Sequence, residues 1–448
     1  DYFFLDSSKL KQPLDRIFDE FAGKVVFLEE QTTDYPELKY QIKEIVKPSI
    51  SHKVKEAYGG LSASDKFLQF TESMLTPLQN ATFEANNFFD PSVKTKFNII
   101  HDMVVPNPDY PADEILKYHP DHPDHKNRIP MTGLFDSNES REKISNASHE
   151  WKKKIGIEIR IERDHNVLTG SWLSYENLKI YSGKGVTIID TVRAEMKKDP
   201  KTKMLIYHPY VKDSGIITIA EMLRENGFVN YGETPGPNTY SSSEFSTYSD
   251  FVKRKDTSYK PASIVTISYD VKDHYMDKII DKFNSPDNSY GENIKILIGA
   301  QKIKQSIDFK DVQVQIIAAP PTNISEFIQI KGRTVRNGSL SRLPESKHQV
   351  RLYTLCGVSK KGLTFEARKY INKIIKFKEI QNIEYNINKA AVNNYIYGKK
   401  KFSSDDPLGA LSFKIELPDT EIDESEYFYE DGYMFAYETI MNLIKRAF

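Results

Sequence analysis

The 448-residue sequence has one cysteine, Cys356, so it cannot form an intrachain disulfide. It has no apolar run near the ~20 residues that cross a bilayer, and no signal segment at its start. The formal net charge is −1, which excludes a global basic field that would attract a polyanion. We therefore expect a protein of a reducing compartment that makes no use of a membrane, in which any nucleic-acid site is a local patch or groove.

Several catalytic signatures are absent as well. There is no Gly-x-x-x-x-Gly-Lys-Ser/Thr phosphate loop, no Asp-Glu-x-His/Asp pair, no nucleophile elbow and no dinucleotide fingerprint. Ser182-Gly-Lys-Gly185 lacks a Ser or Thr after its lysine, and we interpret it as a turn. His208 with Asp213 could perform acid–base chemistry, but a histidine at a strand end is more often structural. A complete standalone enzyme of another class therefore has no support.

From Ser171 onward the sequence alternates between two patterns. Short apolar runs bounded by breakers predict buried strands, and amphipathic stretches between them predict helices. Such alternation predicts an α/β fold in which a parallel sheet carries helices on both faces and ligands bind at the carboxyl ends of strands. The predicted strands are Lys203–His208, Ser263–Ser268, Ile294–Ile298, Gln313–Ala318 and Gln349–Leu355. The predicted helices are Gly185–Lys198, which precedes the first strand, and Gly215–Asn226 and Asp270–Phe283, which lie between strands.

Residues 60–150 are different, because Gly, Asn, Pro, Asp and His accumulate there. We interpret this stretch as an irregular insertion with short helices, for instance Lys66–Leu75. Its histidines His119, His122 and His125 could bind a metal, but the prolines between them prevent a helical face and no fourth ligand lies near in sequence. A solvated loop is the favoured interpretation, so no metal site is predicted.

One octet, Gln329-Ile-Lys-Gly-Arg-Thr-Val-Arg336, follows an apolar strand. If it is helical, Arg333 and Arg336 share one face, because residues i and i+3 are neighbours there. The planar guanidinium fork matches phosphate oxygens, so the pair could clamp a transferring phosphoryl group. Gly332 would allow a close backbone approach, and Gln329 could orient a nucleotide by hydrogen bonds. The alternative is a surface helix with scattered positive charge.

Other segments of the sequence resemble motifs of the same protein family as the octet. Leu205–His208 resembles the fourth helicase motif, Leu297–Phe309 the fifth, and the octet the sixth. Two further patterns resemble signatures of helicases from large DNA viruses: Phe283-Asn284 with Asn288 and Gly291, and Gly338–Pro344. The sequence therefore resembles the C-terminal part of a superfamily-two helicase of a nucleocytoplasmic large DNA virus, such as a poxvirus or African swine fever virus. The nearest types are the early transcription factor ATPase subunit and nucleoside triphosphate phosphohydrolase I.

The resemblance implies a RecA-like lobe and a division of roles. Arg333 and Arg336 would be catalytic, stabilising the γ-phosphate during ATP hydrolysis. The other implied roles are nucleotide binding by Gln329, Gly332 and Asp308, and contact with the DNA backbone by His208, Gln301 and Lys302. ATP with Mg²⁺ is the implied cofactor, and its ligands would come mainly from a first lobe.

The sequence also departs from the family pattern. Gln305-Ser306 stands where the fifth motif usually has Glu-Gly, and the phosphate-loop motifs of a first lobe are missing. The chain starts with Asp1 rather than Met, so we expect a piece of a longer protein that is inactive alone. The expected division is a first-lobe remnant (1–59), an accessory region (60–170), the second RecA-like lobe (171–358) and a helical C-terminal extension with an acidic tail (359–448).

Two functions follow from these patterns. The first is the second lobe of a nucleic-acid-dependent ATPase, a viral helicase or translocase that acts in transcription. Its expected partners are DNA, the first lobe and the viral transcription machinery, in the viral factory of the host cytoplasm and in the virion. The second is a catalytically inactive docking module that binds partners through the accessory region and the acidic run Asp419–Asp431.

Overall fold

A parallel sheet of eight strands forms the centre of the protein. The computed structural model describes residues 37–40, 70–85, 98–124, 131–162, 165–243, 245–254, 259–268, 273–304, 307–321, 324–359, 364–367 and 369–370. The sheet strands are β1 (Glu37–Tyr40), β2 (Thr71–Met74), β7 (Met204–Tyr207), β8 (Val229–Asn230), β9 (Ser263–Ile267), β10 (Ile296–Gly299), β11 (Val314–Ile317) and β12 (Gln349–Val358). Their spatial order is β1-β12-β11-β7-β10-β9-β8, and β2 pairs with the later half of β12.

Two small antiparallel pairs lie outside this sheet: β3 (Val104–Val105) with β4 (Leu134–Phe135), and β5 (Glu158–Glu162) with β6 (His165–Thr169). The described α-helices are α1 (Pro77–Ala85), α2 (Asn98–Asp102), α3 (Ala112–Leu116), α4 (Asn138–Ser145), α5 (His149–Ile155), α6 (Tyr175–Tyr181), α7 (Gly183–Lys198), α8 (Ile216–Glu225), α9 (Tyr248–Arg254), α10 (Asp273–Asn284) and α11 (Ile324–Gly332). Short 3₁₀ segments are Ser171–Leu173, Pro286–Asn288, Gln301–Lys304 and Glu345–Lys347. No described helix combines the length and the apolar character needed to cross a membrane.

The central strands are buried on both faces, as expected for a parallel sheet covered by helices. Along β7, Met204 and Ile206 face one hydrophobic cluster, and Leu205 and Tyr207 face another. This alternation follows from the two-residue period of a strand. The first cluster receives apolar residues of α7 and α8, and the second receives those of α11. The predicted α/β fold class, a RecA-like parallel sheet with helices on both faces, is confirmed.

The five strands and three helices predicted above are present, and most of their ends agree within about two residues. The strand starting at Gln349 runs on to Val358, and the helix predicted from Asp270 begins at Asp273. The long loop between β8 and β9 contains the short helix α9 and two isolated bridges.

The helix predicted over Lys66–Leu75 is wrong in its described part. Thr71–Met74 is β2, which pairs in parallel with Leu355–Val358 of β12. Thr71 and Ser73 are buried, whereas Met74 is exposed, so the segment alternates as an edge strand does. The segment is a strand because it pairs with a strand that is distant in sequence, and local periodicity contains no information about that pairing.

The accessory region shares its hydrophobic core with the sheet. Leu75, Phe83 and Ile100 belong to the same buried cluster as Ile206 and Ile316. Among the described residues, the boundary expected near residue 170 therefore does not separate two hydrophobic cores. Predictions for the first-lobe remnant other than β1, for Gln305-Ser306, for the helix beyond residue 370 and for the acidic run lie outside the described residues.

Candidate functional site

The arginine pair lies just after helix α11 and not within it. The helix ends at Gly332, and Arg333 and Arg336 occupy the turns that follow. The expectation that both arginines share a helical face is therefore wrong. The side chain of Gln315 provides the physical reason, because its Nε2 donates to the Ile330 carbonyl at 2.8 Å and its Oε1 accepts from Thr334 Oγ1 at 2.7 Å. These bonds satisfy the helix end and turn the chain.

The same contacts place the arginine segment within the fold. Gln315 is the second residue of β11, so the segment lies beside the amino-terminal half of that strand. This follows because α11 starts after the carboxyl end of β11 and runs back along the sheet. The arginines therefore do not lie at the carboxyl ends of the strands, where the fold class alone placed the ligand.

Asp308 brings the two arginines together. Arg336 Nη1 donates to Asp308 Oδ1 in an ion pair, and Arg333 Nη1 lies 3.9 Å from the same oxygen. Arg333 also donates from Nη1 to the Ile307 carbonyl at 3.2 Å, and its own carbonyl accepts from the Phe309 N–H at 3.0 Å. The side chains of Arg336 and Asp308 are each 42% exposed and that of Arg333 is 14% exposed.

Two cations against one carboxylate leave a local charge of +1 in a half-buried position. A guanidinium offers five N–H donors in a fixed plane, so one ion pair does not use all the donors of Arg336. The cluster can therefore accept an anion such as a phosphoryl group, either beside the carboxylate or in its place.

Gln329 and Gly332 lie on the last two turns of α11, and both are partly exposed. A Cβ built on Gly332 would meet no atom within 4 Å. The close backbone approach predicted for this glycine is therefore not made within the described part of the chain. Gln329 stays a predicted nucleotide contact.

His208 directly follows β7, at the strand end where it was predicted, but its side chain is buried. It is only 1% exposed, and this burial argues against the predicted contact with a nucleic-acid backbone in this conformation. Its Nδ1 accepts from the Tyr210 N–H at 3.1 Å, which leaves Nε2 to donate to Asp102 Oδ2 at 3.2 Å. The carboxylate partner is therefore Asp102 and not Asp213, and the acid–base alternative is not supported.

Ser182-Gly-Lys-Gly185 is not an isolated turn: Ser182 is the N-cap of α7, and Gly183 to Gly185 begin that helix. Ser182 Oγ caps the helix by accepting from the Gly185 N–H at 2.8 Å. Lys184 is 2% exposed and lies between two carboxylates, with Nζ donating to Asp102 at 2.8 Å and to Glu366 at 2.6 Å. Burial lowers the pKa of Lys184, but the two carboxylates outweigh it and raise that pKa above its usual value.

Sequence reasoning missed this buried network. Burial raises the pKa of Asp102, but Lys184 and His208 together lower it below its ordinary value. The Gly-Lys-Gly spacing marked Lys184 as unusual, yet Asp102 and Glu366 are 82 and 182 residues away from it in sequence. Only the folded chain brings these groups together.

Gln301 and Lys302 agree better with their predicted position. They begin a 3₁₀ segment directly after the carboxyl end of β10, beside β7 in the sheet. Gln301 is exposed and Lys302 is partly exposed. Both stay predicted nucleic-acid contacts.

One group of three potential metal ligands comes together among the described residues: His119, Asp121 and Glu176. The His119 ring nitrogens lie 3.8 Å from Asp121 Oδ2 and 3.7 Å from Glu176 Oε2. Asp121 and Glu176 are well exposed, and His122 instead accepts from the Asp124 N–H at 3.1 Å. The group does not include Asp308, so the described residues offer no metal-ligand cluster at the arginine pair.

Comparison with known proteins agrees with this geometry. Residues 233–338, which include β9, β10, β11 and α11, match the family model "Helicase conserved C-terminal domain". The early transcription factor large subunit homolog of African swine fever virus (isolate Pig/Kenya/KEN-50/1950) is 27% identical over 338 residues, covering 73% of this chain and 28% of that protein. The homolog from isolate Tick/South Africa/Pretoriuskop Pr4/1996 is 27% identical over 384 residues, covering 84% of this chain and 31% of that protein.

A candidate helicase of Invertebrate iridescent virus 3, 087L, is 27% identical over 223 residues, covering 49% of this chain and 19% of that protein. Among solved structures, the C-terminal part of the Fun30 ATPase domain has a TM-score of 0.33 and 16% identity, covering 76% of this chain and 90% of that one.

The parallel sheet and the helicase conserved C-terminal domain matched over residues 233–338 together support one class of protein, the C-terminal part of a superfamily-two helicase. Within that class, the chain is similar to helicase-like proteins of large DNA viruses and to the early transcription factor large subunit homolog of African swine fever virus. The predicted resemblance is thereby confirmed. The chain spans less than a third of the length of the curated early transcription factor homologs described above.

Proposed function

We propose that this chain is the second lobe of a viral nucleic-acid-dependent ATPase that acts in transcription. Arg333 and Arg336 would face ATP bound on a first lobe and stabilise the charge that develops during phosphoryl transfer. One observation carries the proposal: both arginines of the sixth-motif octet converge on Asp308 at a half-open site. Arg336, the more exposed of the two, is the candidate arginine finger.

In this proposal, the chain contacts the phosphates of ATP but supplies no ligand to Mg²⁺. The guanidinium groups suit phosphate oxygens, and bound Mg²⁺ would neutralise phosphate charge. Among the described residues, no metal-ligand cluster forms at the arginine pair. The proposal therefore assigns the metal ligands to the first lobe. Asp308 would exchange its ion pair with Arg336 for contacts to the nucleotide when the lobes close.

Gln301 and Lys302 are the proposed nucleic-acid contacts. Both lie at the carboxyl end of β10 and reach the surface. Contacts from an amide and an ammonium group to phosphate and sugar confer little sequence preference. A role in transcription extends the proposal by analogy with the early transcription factor homologs. A protein with that role would work in the viral factory and be carried in the virion.

The test is ATP hydrolysis by this chain and by the full-length protein, each with and without single- or double-stranded DNA. The proposal predicts hydrolysis by the full-length protein that DNA stimulates, and none by the chain alone. Hydrolysis by the isolated chain would show that the site does not need a first lobe. Absence of hydrolysis from both, with nucleotide and DNA at saturating concentrations, would favour the docking-module alternative.

A further inference from the structure

Asn284, the last residue of α10, holds the backbone on both sides of Asp308. Its Nδ2 donates to the Asp308 carbonyl at 2.7 Å, and its Oδ1 accepts from the Lys310 N–H at 2.8 Å. One side-chain amide thus satisfies one acceptor and one donor two residues apart, as a neighbouring strand would. The amide has no freedom to flip, because the donor and the acceptor must each face the correct partner.

The arginine segment holds the opposite side of the same backbone. The Ile307 carbonyl accepts from Arg333 Nη1, and the Phe309 N–H donates to the Arg333 carbonyl. Even-numbered residues of 307–310 therefore bond to Asn284 and odd-numbered residues bond to Arg333. Asp308 therefore lies in a segment that is hydrogen-bonded on both sides, and its carboxylate forms the ion pair with Arg336.

Asn284 is itself well anchored. The Phe283 carbonyl beside it accepts from Lys203 Nζ at 2.6 Å and from Asn288 Nδ2 at 2.9 Å. The rings of Phe283 and Phe309 pack edge to face, with their centroids 5.9 Å apart. The Phe-Asn pair of the viral signature therefore places a fixed amide against the segment that carries Asp308.

We infer that Asn284 is a positioning residue, which sets the place of Arg336 through the segment 307–310 and the carboxylate of Asp308. This inference rests on the proposed function, because it assigns the purpose of the positioning to phosphoryl transfer. An arginine that stabilises a transition state must be held closely, since a displacement of about 1 Å can cost about a hundredfold in rate.

The test compares Asn284→Ala and Asn284→Asp with a matched control, Asn226→Ala, in the full-length protein. Asn226 is a buried amide that bonds to Leu173, Met222 and Tyr175, away from the arginine pair. Asn284→Asp keeps the acceptor for Lys310 but loses the donor to Asp308 and adds a negative charge. Two readouts are measured: hydrogen exchange of the 307–310 amides, and kcat and KM for ATP with saturating DNA.

Both Asn284 variants are expected to exchange faster at 307–310 and to lose about tenfold to a hundredfold in kcat, with KM changed less than about threefold. Asn226→Ala is expected to leave both readouts near wild type. In an Asp308→Ala background, Asn284→Ala is expected to cost little more, because the two residues act through one path.

Unchanged exchange at 307–310, or a kcat equal to that of Asn226→Ala, would overturn the inference. Full additivity of Asn284→Ala with Asp308→Ala would also overturn it, since the amide would then act by another route. If the wild type shows no hydrolysis at all, the proposed function fails. The exchange readout then still decides whether Asn284 holds the Asp308 segment.

Discussion

Lys184 connects parts of the chain that are far apart in sequence through a single buried ammonium group. Its ammonium group lies between Asp102, which precedes β3, and Glu366, which follows β12, while Asp102 also accepts from His208 at the end of β7. The cation thus links the accessory region, the sheet and the residues beyond it. Such a network stabilises only while every member is paired, because an unpaired buried charge is costly.

At this scale we predict that Lys184→Met lowers the free energy of unfolding by about 3–5 kcal/mol, since it leaves two carboxylates buried without a cation. Lys179→Met is the control, because Lys179 pairs with Glu176 at the surface and is expected to cost less than about 1 kcal/mol. Denaturant unfolding measures both variants. Equal effects would show that the buried network does not stabilise the fold.

Arg333, Arg336 and His208 show which features of single residues can be predicted from sequence and which cannot. The octet identified Arg333 and Arg336 because the types and the spacing of its residues carry the signal. Their position after α11 depends on Gln315 in a neighbouring strand, so local periodicity gave the wrong helix end. The burial of His208 depends on Asp102, which is 106 residues away. Contacts at that separation are decided by the whole fold.

Among the elements, the connection from β7 to α8 is unusually constrained. Asp213 and Ser214 both have positive φ angles, of 52° and 68°. The Ser214 N–H donates to Asp136 at 2.7 Å, and His208 at the start of the connection donates to Asp102. Two carboxylates of the accessory region thus hold both ends of the loop that leads from the sheet into α8.

We predict that Gly215→Ala destabilises the protein by about 1–3 kcal/mol, because the new Cβ would lie 2.2 Å from the Tyr210 carbonyl oxygen. Gly236→Ala is the matched control, since its Cβ would meet only Thr239 Oγ1, at 3.9 Å. Thermal unfolding compares the two variants. A Gly215→Ala protein as stable as the control would show that this connection can relax.

The strands at the centre of the sheet were predictable because they are short, mainly apolar and bounded by breakers. β2 was not, because Thr71–Met74 has neither a strong strand composition nor a neighbour in sequence to pair with. It becomes a strand by adding to the edge of β12. Elements whose structure comes from distant pairing are the ones that a sequence pattern misses.

At the scale of the whole molecule, two buried lysines make stability depend on pH. Burial lowers the pKa of both Lys203 and Lys295 to about 7. Each Nζ donates to backbone carbonyls, Lys203 to Phe283 and Lys295 to Pro200 and Tyr290. Between about pH 7 and pH 10 the folded state therefore holds fewer protons at these sites than the unfolded state.

Because the unfolded state binds more protons in this window, stability is predicted to rise with pH from about 7 to 10, by at most about 1.4 kcal/mol per pH unit for each lysine. The double variant Lys203→Met with Lys295→Met should lose this rise. Unfolding free energies at several pH values measure it, with Lys179→Met as the control. An unchanged slope in the double variant would show that neither lysine is neutral in the folded protein.

If Arg336 acts on a nucleotide held by another lobe, its loss must slow hydrolysis without preventing nucleotide binding. ATP binding and DNA-stimulated hydrolysis are measured for full-length Arg336→Ala. Arg224→Ala is the control, because the ion pairs of Arg224 are with Glu221 and Glu233 and do not involve Asp308 or the arginine pair. We predict that Arg336→Ala binds ATP within about threefold of wild type while its kcat falls by about 10³-fold or more. Hydrolysis by Arg336→Ala at the rate of the control would contradict it.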